Sequence, residues 1–175
     1  YIDWDQAYPI LVEAMGNSSA DPRSGLALAD AALKAGQTEA VLEGIDHALT
    51  IFHRSHSKVG VSPSLVFNRI TGIVNSQQAA NLQLRRSLLD RLASATAGPA
   101  DEVTYQLTVA AFLEESGQFT KAVDHYQAIL LDPTLSSQLY EDGPNMRQAA
   151  LEVQVRLKRL IEKAGRSIYD QYERQ

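Results

Sequence analysis

No cysteine occurs anywhere in the 175 residues, which excludes disulfides, thiolate metal sites and a cysteine nucleophile. Basic residues are the minority: 16 Lys and Arg stand against 21 Asp and Glu, for a net charge of −5. A strongly basic surface for sequence-independent attachment to nucleic acid is therefore not expected. Two local basic groups exist, Arg85-Arg86 with Arg91 and Arg156 with Lys158, Arg159, Lys163 and Arg166. Neither is interleaved with exposed aromatics, as a stacking platform for single strands would need, so no nucleic acid is expected as a partner. No apolar run approaches the roughly 18 residues of a membrane span, and membrane insertion is not expected. Valine, isoleucine and threonine do not alternate between Asn-Gly or Asp-Gly turns, so β-hairpins are not indicated.

Catalytic and metal-binding constellations are equally scarce. Glu114-Glu115 fails as an acid/base pair because adjacent helical residues diverge by about 100°. The paired Glu-x-x-His motifs of a dinuclear carboxylate bundle do not occur. His47, His53 and His56, with Glu43 one turn before His47, lack the convergence that three or four zinc ligands need; His53 and His56 read as solvated groups near a helix C-terminus. His125 is expected to face solvent. No catalytic residue, cofactor or metal is expected, and the chain reads as non-enzymatic. Asn17-Ser18-Ser19 is formally a glycosylation acceptor, a triplet common by chance.

What the chain has is helical periodicity almost throughout. Its length allows one domain or array burying about 70% of its unfolded surface. Asp3 can cap a first helix with Trp4, Ala7, Tyr8, Leu11 and Met15 on one face, ending at Gly16-Asn17. Pro9 either bends that helix or moves its start to Tyr8. Asp21-Pro22 is a start signal, a cap followed by proline at the first helical position. It opens a helix with Leu26, Ala29 and Leu33 that runs to Gly36. The next helix carries Val41, Leu42, Ile45, Ala48, Leu49 and Phe52, and the stretch 53–61 reads as a loop. Ser62-Pro63 starts a helix with Leu65, Val66, Ile70 and Ile73, which Asn75-Ser76 breaks. A long helix follows with Leu82, Leu84, Leu88, Leu89 and Leu92. Gly98-Pro99 closes it and Asp101 is expected to cap the next. After Pro133 a polar linker is expected through Gly143-Pro144, then a long helix with Met146, Ala150, Val153, Leu157, Leu160 and Ile161, ending at Gly165.

The turns within helix pairs therefore fall at Gly36, Asn75, Gly117 and Gly165, separated by 39, 42 and 48 residues. Such regularity is the signature of stacked helical hairpins, none of which can bury its apolar face alone. The expected fold is all-α, a superhelical stack of antiparallel helix pairs with about nine helices. A capping helix would occupy 1–16 and hairpins 21–53, 62–96, 101–133 and 144–175. Trp4 and Tyr8 are expected to lay the first helix over the first pair as a cap, while Tyr169 and Tyr172 would pack against Leu157, Leu160 and Ile161. The start at Tyr1 and the uncapped amphipathic pattern of Ile168, Tyr169 and Tyr172 suggest a fragment of a longer protein. Residues 76–145 carry nine acids against four bases, and 146–175 four acids against seven bases. This asymmetry reads as solvated helix faces.

The stretch 103–133 resembles a tetratricopeptide repeat. Val109, Ala110 and Leu113 match the large, small and large contact positions of that family's first helix. Gly117 matches its turn glycine, Phe119 and Tyr126 its aromatics, and Ala122 its second small residue. Small side chains at 110 and 122 let two helices approach while Phe119 and Tyr126 fill the gaps beside the crossing. Gln106 stands where the family usually has tryptophan, and Pro133 comes one residue early. Residues 20–53 are similar more loosely, through Leu28, Ala29, Gly36, Ile45 and Ala48.

The resemblance implies an interaction scaffold whose first helices line a concave groove for a protein or peptide partner. The groove positions it implies are Arg23, Leu26, Asp30 and Leu33 in the first unit and Thr104, Leu107, Ala111 and Glu114 in the later one. Leu26 and Asp30, or Leu107 and Ala111, replace the lysine and asparagine of the family's carboxylate-gripping subset, so a mixed apolar groove is expected instead. A neighbouring helix could equally cover these residues. A structural spacer, or an accessory helical domain of an enzyme whose catalytic residues lie outside the chain, remain alternatives.

Overall fold

The computed structural model describes residues 3–17, 21–54, 64–76, 81–141 and 144–173. Among the described residues there are nine helices and no strand: α1 Trp4–Asn17, α2 Pro22–Ala35, α3 Thr38–Arg54, α4 Ser64–Val74, α5 Leu82–Ala95, α6 Pro99–Glu115, α7 Phe119–Leu131, α8 Pro133–Glu141 and α9 Pro144–Glu173. The chain is thus all-α. It divides into two compact units, 1–97 and 98–175.

In the first unit the local signals act as elementary stereochemistry requires. The Asp21 carboxylate accepts from the Arg23 backbone N–H at 2.9 Å, and Pro22 occupies the first helical position of α2, where its missing N–H costs nothing. Gly36 ends α2 in the left-handed region, φ 73°, and its N–H reaches back to the Leu33 carbonyl. Helix α1 begins at Trp4, ahead of Pro9, which lies inside it. Ser62-Pro63, the expected start of the next helix, falls outside the described residues, as does 55–61 of the expected loop; His53 belongs to α3.

Helices α2 and α3 form the most intimate pair. Gly25 and Gly44 face each other across it so closely that a Cβ on either would overlap the other's carbonyl oxygen. Around that crossing Leu28, Ala29, Ala32, Val41, Ile45 and Ala48 are fully buried. Helix α4 pairs with α5, and contacts also join α2 to α4 and α3 to α5. Arg91 of α5 grips Asp46 of α3 in a two-pronged ion pair, at 2.6 and 2.7 Å. Helix α1 lies against α2. Its Tyr8 hydroxyl donates to Glu43 at 3.0 Å, and Trp4 sits against Tyr8 with ring centroids 5.2 Å apart.

The second unit corrects three sequence expectations. Pro99 takes the first position of α6, so Asp101 lies within the first turn instead of capping it, and with Glu102 it places negative charge near the positive helix end. The expected polar linker after Pro133 is helix α8. The Asp132 carboxylate accepts from the backbone N–H groups of Thr134 at 2.7 Å and Leu135 at 3.2 Å. Asp132-Pro133 is therefore the same cap-and-proline start as Asp21-Pro22. Finally, the helix expected to end at Gly165 continues to Glu173. Gly165 is exposed with open space around its Cα, so it carries only the about 1 kcal/mol propensity penalty of an interior glycine. No hairpin fills 144–175, and Gly165 is not a turn.

Packing regroups the unit accordingly. Helix α6 pairs with α7 and α8 with α9, while further contacts join α6 to α8 and α7 to α9. The α6–α7 turn has Gly117 at φ 73°, and the Gln118 N–H returns to the Leu113 carbonyl at 2.8 Å. Ala110, Ala122, Tyr126 and Ile129 are fully or nearly fully buried. On α9, Val153, Leu160 and Ala164 face inward, Leu157 is half-buried and Ile161 is exposed. The side chains of Met146, Ala150, Ile168, Tyr169 and Tyr172 lie outside the described residues.

Candidate functional site

In the first unit an open groove of about 420 Å³ runs between α2 and α4. Arg23, Leu26, Ala27 and Asp30 line it from α2, and Leu65, Asn68 and Arg69 from α4. The Asp–Pro start of α2 sets the register: with Pro22 at the first position, Arg23, Leu26, Ala27 and Asp30 follow at the i, i+3, i+4 and i+7 spacing of one helix face. The opposite face carries Gly25, Ala29 and Ala32 into α3.

Leu26 forms a buried floor, Leu65 is half-buried, and Arg23, Ala27 and Asn68 are exposed. Asp30 and Arg69 form an ion pair across the groove. Of the four residues the sequence placed here, Arg23, Leu26 and Asp30 come together. Leu33 is half-buried and lies outside the lining.

Sequence reasoning missed the α4 wall. Its signal was available: Leu65, Asn68 and Arg69 repeat on α4 the i, i+3, i+4 spacing of Arg23, Leu26 and Ala27 on α2.

The four residues expected in the second unit do not share a groove. Leu107 is half-buried and packs against the cluster of Val103, Ile129 and Leu139, as does Leu135 of α8. The Thr104 hydroxyl donates to its own helix, to the Ala100 carbonyl at 3.1 Å. Ala111 is half-buried. Glu114 accepts from the Tyr126 hydroxyl at 2.7 Å.

Tyr126 and Leu107 line a narrower cleft of about 170 Å³ with Glu152, Val153 and Arg156. Arg156 donates to Glu152 at 2.7 Å and to the Tyr126 oxygen. Burial first, and then the bond to Glu114, push the Tyr126 phenol up to about 12 against the pull of Arg156. The phenol is a neutral hydrogen-bonding strut that joins α6, α7 and α9.

His125 is half-buried rather than solvent-facing. Its Nδ1 lies 2.6 Å from the Gln106 side-chain oxygen, and the Gln106 amide donates to Glu102 at 2.6 Å. Gln106 is thus a link in a polar chain from α6 to α7. Burial holds the His125 imidazole below its ordinary range, outweighing the opposing charges of Asp124 and Glu102.

Among the described residues no group of three or more His, Asp or Glu could hold a metal ion, and no helix is long and apolar enough to cross a membrane. Glu43 is engaged by Tyr8, the buried Nε2 of His47 has no hydrogen-bond partner among the described residues, and His56 lies outside them. No family model matches the chain, and neither a curated protein nor a solved structure matches it.

Proposed function

We propose that the chain is a non-enzymatic interaction module that holds a protein or peptide segment in the groove between α2 and α4. The observation that carries this reading is the groove itself. The first helices of two successive hairpins line it, with Arg23, Leu26 and Asp30 in the α2 wall. Contacts of first helix to first helix (α2 with α4) and second helix to second helix (α3 with α5) support a tetratricopeptide-like stacking of the pairs. The second unit has the same pattern, α6 with α8 and α7 with α9. We read the chain as a degenerate member of that architecture, in which rigid hairpins display a preformed surface and a few apolar anchors supply affinity. Fold alone does not assign a function, so the reading rests on the site. The packing of Leu107 against the Val103, Ile129 and Leu139 cluster favours a supporting, spacer-like role for the second unit.

The test is capture of partners from the source proteome by the full chain and by a variant carrying Ala27→Glu with Leu65→Glu. Both positions reach solvent, so helicity should be unchanged while bound partners are lost. A partner retained by the variant would show that the groove does not bind it. Leu107 is unsuitable for this purpose, because a charge there would disrupt the Val103, Ile129 and Leu139 cluster.

A further inference from the structure

The charges of the α2/α4 groove are not balanced. It has two cations, Arg23 and Arg69, and one anion, Asp30. Asp30 is committed to Arg69. The neighbouring Asp21 carboxylate is committed to the Arg23 backbone N–H, as the cap of α2. The Arg23 guanidinium is exposed and makes no ion pair with another described residue. Beside Arg23 the surface turns apolar, through the Leu26 floor, Ala27 and Leu65.

Resting on the groove reading above, we propose that the occupant is an extended peptide segment that sets an Asp or Glu side chain against Arg23 and a neighbouring large apolar side chain on Leu26 and Leu65. A guanidinium without an ion-pair partner among the described residues can take a carboxylate in a two-pronged, charge-assisted geometry. A basic side chain at the same place would meet Arg23 directly and find Asp30 already neutralised, so the groove discriminates by charge as well as by shape.

The probe is a displayed library of random dodecapeptides selected on the immobilised full chain. Chosen peptides are synthesised and titrated by fluorescence polarisation against wild type, Arg23→Gln and Leu65→Glu, with helicity checked for each variant. The expected selection is an acidic residue within two positions of Leu, Ile or Phe. Arg23→Gln should weaken these peptides about tenfold, the loss of one charge-assisted contact. Replacing the peptide acid by its amide should weaken wild-type binding by a similar factor and leave Arg23→Gln binding unchanged. Peptides that are lost on Leu65→Glu but lack an acid, or bind Arg23→Gln as tightly as wild type, overturn the charge assignment and leave the groove reading standing. Failure to select any peptide sensitive to Leu65→Glu overturns both.

Discussion

Gly44→Ala offers a sharp test of the packing, because two well-known effects oppose each other there. In an exposed helix interior the substitution stabilises by about 1 kcal/mol, since alanine loses less conformational freedom than glycine. At Gly44 the added methyl would overlap the Gly25 carbonyl oxygen and sit 2.8 Å from the Ala29 backbone nitrogen and 3.2 Å from its Cβ. These are atoms of the facing helix backbone or its shortest side chain, so no rotamer change can yield. Helices α2 and α3 must separate, and fully buried residues on both, Ala29 and Val41 among them, lose contact. Overpacking of this kind costs about 1–3 kcal/mol, more when backbone must move. The net expectation is a loss of about 2 kcal/mol, or roughly 8–16 °C in melting temperature for a unit of this size. The single tryptophan, Trp4, lies in α1 against α2, so its fluorescence in a urea titration reports on the first unit. Gly72→Ala is the control: it is exposed within α4 with nothing within 4 Å, and it should raise the midpoint. If both substitutions shift the midpoint in the same direction, the close crossing of α2 and α3 is refuted.

Two further expectations concern the second unit. Ala122 is fully buried in α7, so Ala122→Leu should lower stability by about 1–3 kcal/mol through overpacking; an unchanged circular-dichroism melting curve would mean that the α6–α7 register is wrong. Burial lowers the pKa of His125 in the folded state, so the unfolded chain takes up the proton first as pH falls. Its contribution to stability is therefore complete above the ordinary histidine value of about 6.5 and is lost progressively below it. His125→Gln should flatten the decline in urea midpoint between pH 7 and pH 5, and parallel profiles for wild type and variant would contradict the depressed pKa.

Much of the architecture was legible because it rests on local rules. Asp21-Pro22 announced α2, Gly36 and Gly117 supplied the left-handed turns, and apolar spacing marked α3, α5 and α7. The same rules misled where one residue has two meanings. Pro133 reads as a stop after α7 and as a start before α8; the carboxylate of Asp132 decides, by capping the helix that follows. Gly165 reads as a turn, yet its helix runs on past it, since nothing in the backbone there requires a positive φ.

Composition and periodicity by themselves determined that the chain is helical, lacks thiol chemistry, and builds antiparallel pairs around Gly36 and Gly117. Three things were decided only in three dimensions. Gly25 and Gly44, rather than alanine alone, let α2 and α3 touch, a matter of which faces meet. Leu26 and Leu107 look equivalent in sequence, but Leu26 is the buried floor of a groove that α4 borders, while Leu107 is half-buried against a cluster to which α8 contributes Leu139. Arg69 binds Asp30 and leaves Arg23 without an ion pair among the described residues, because ion pairing depends on which side chains the folded helices bring within reach, and linear order does not encode that distance.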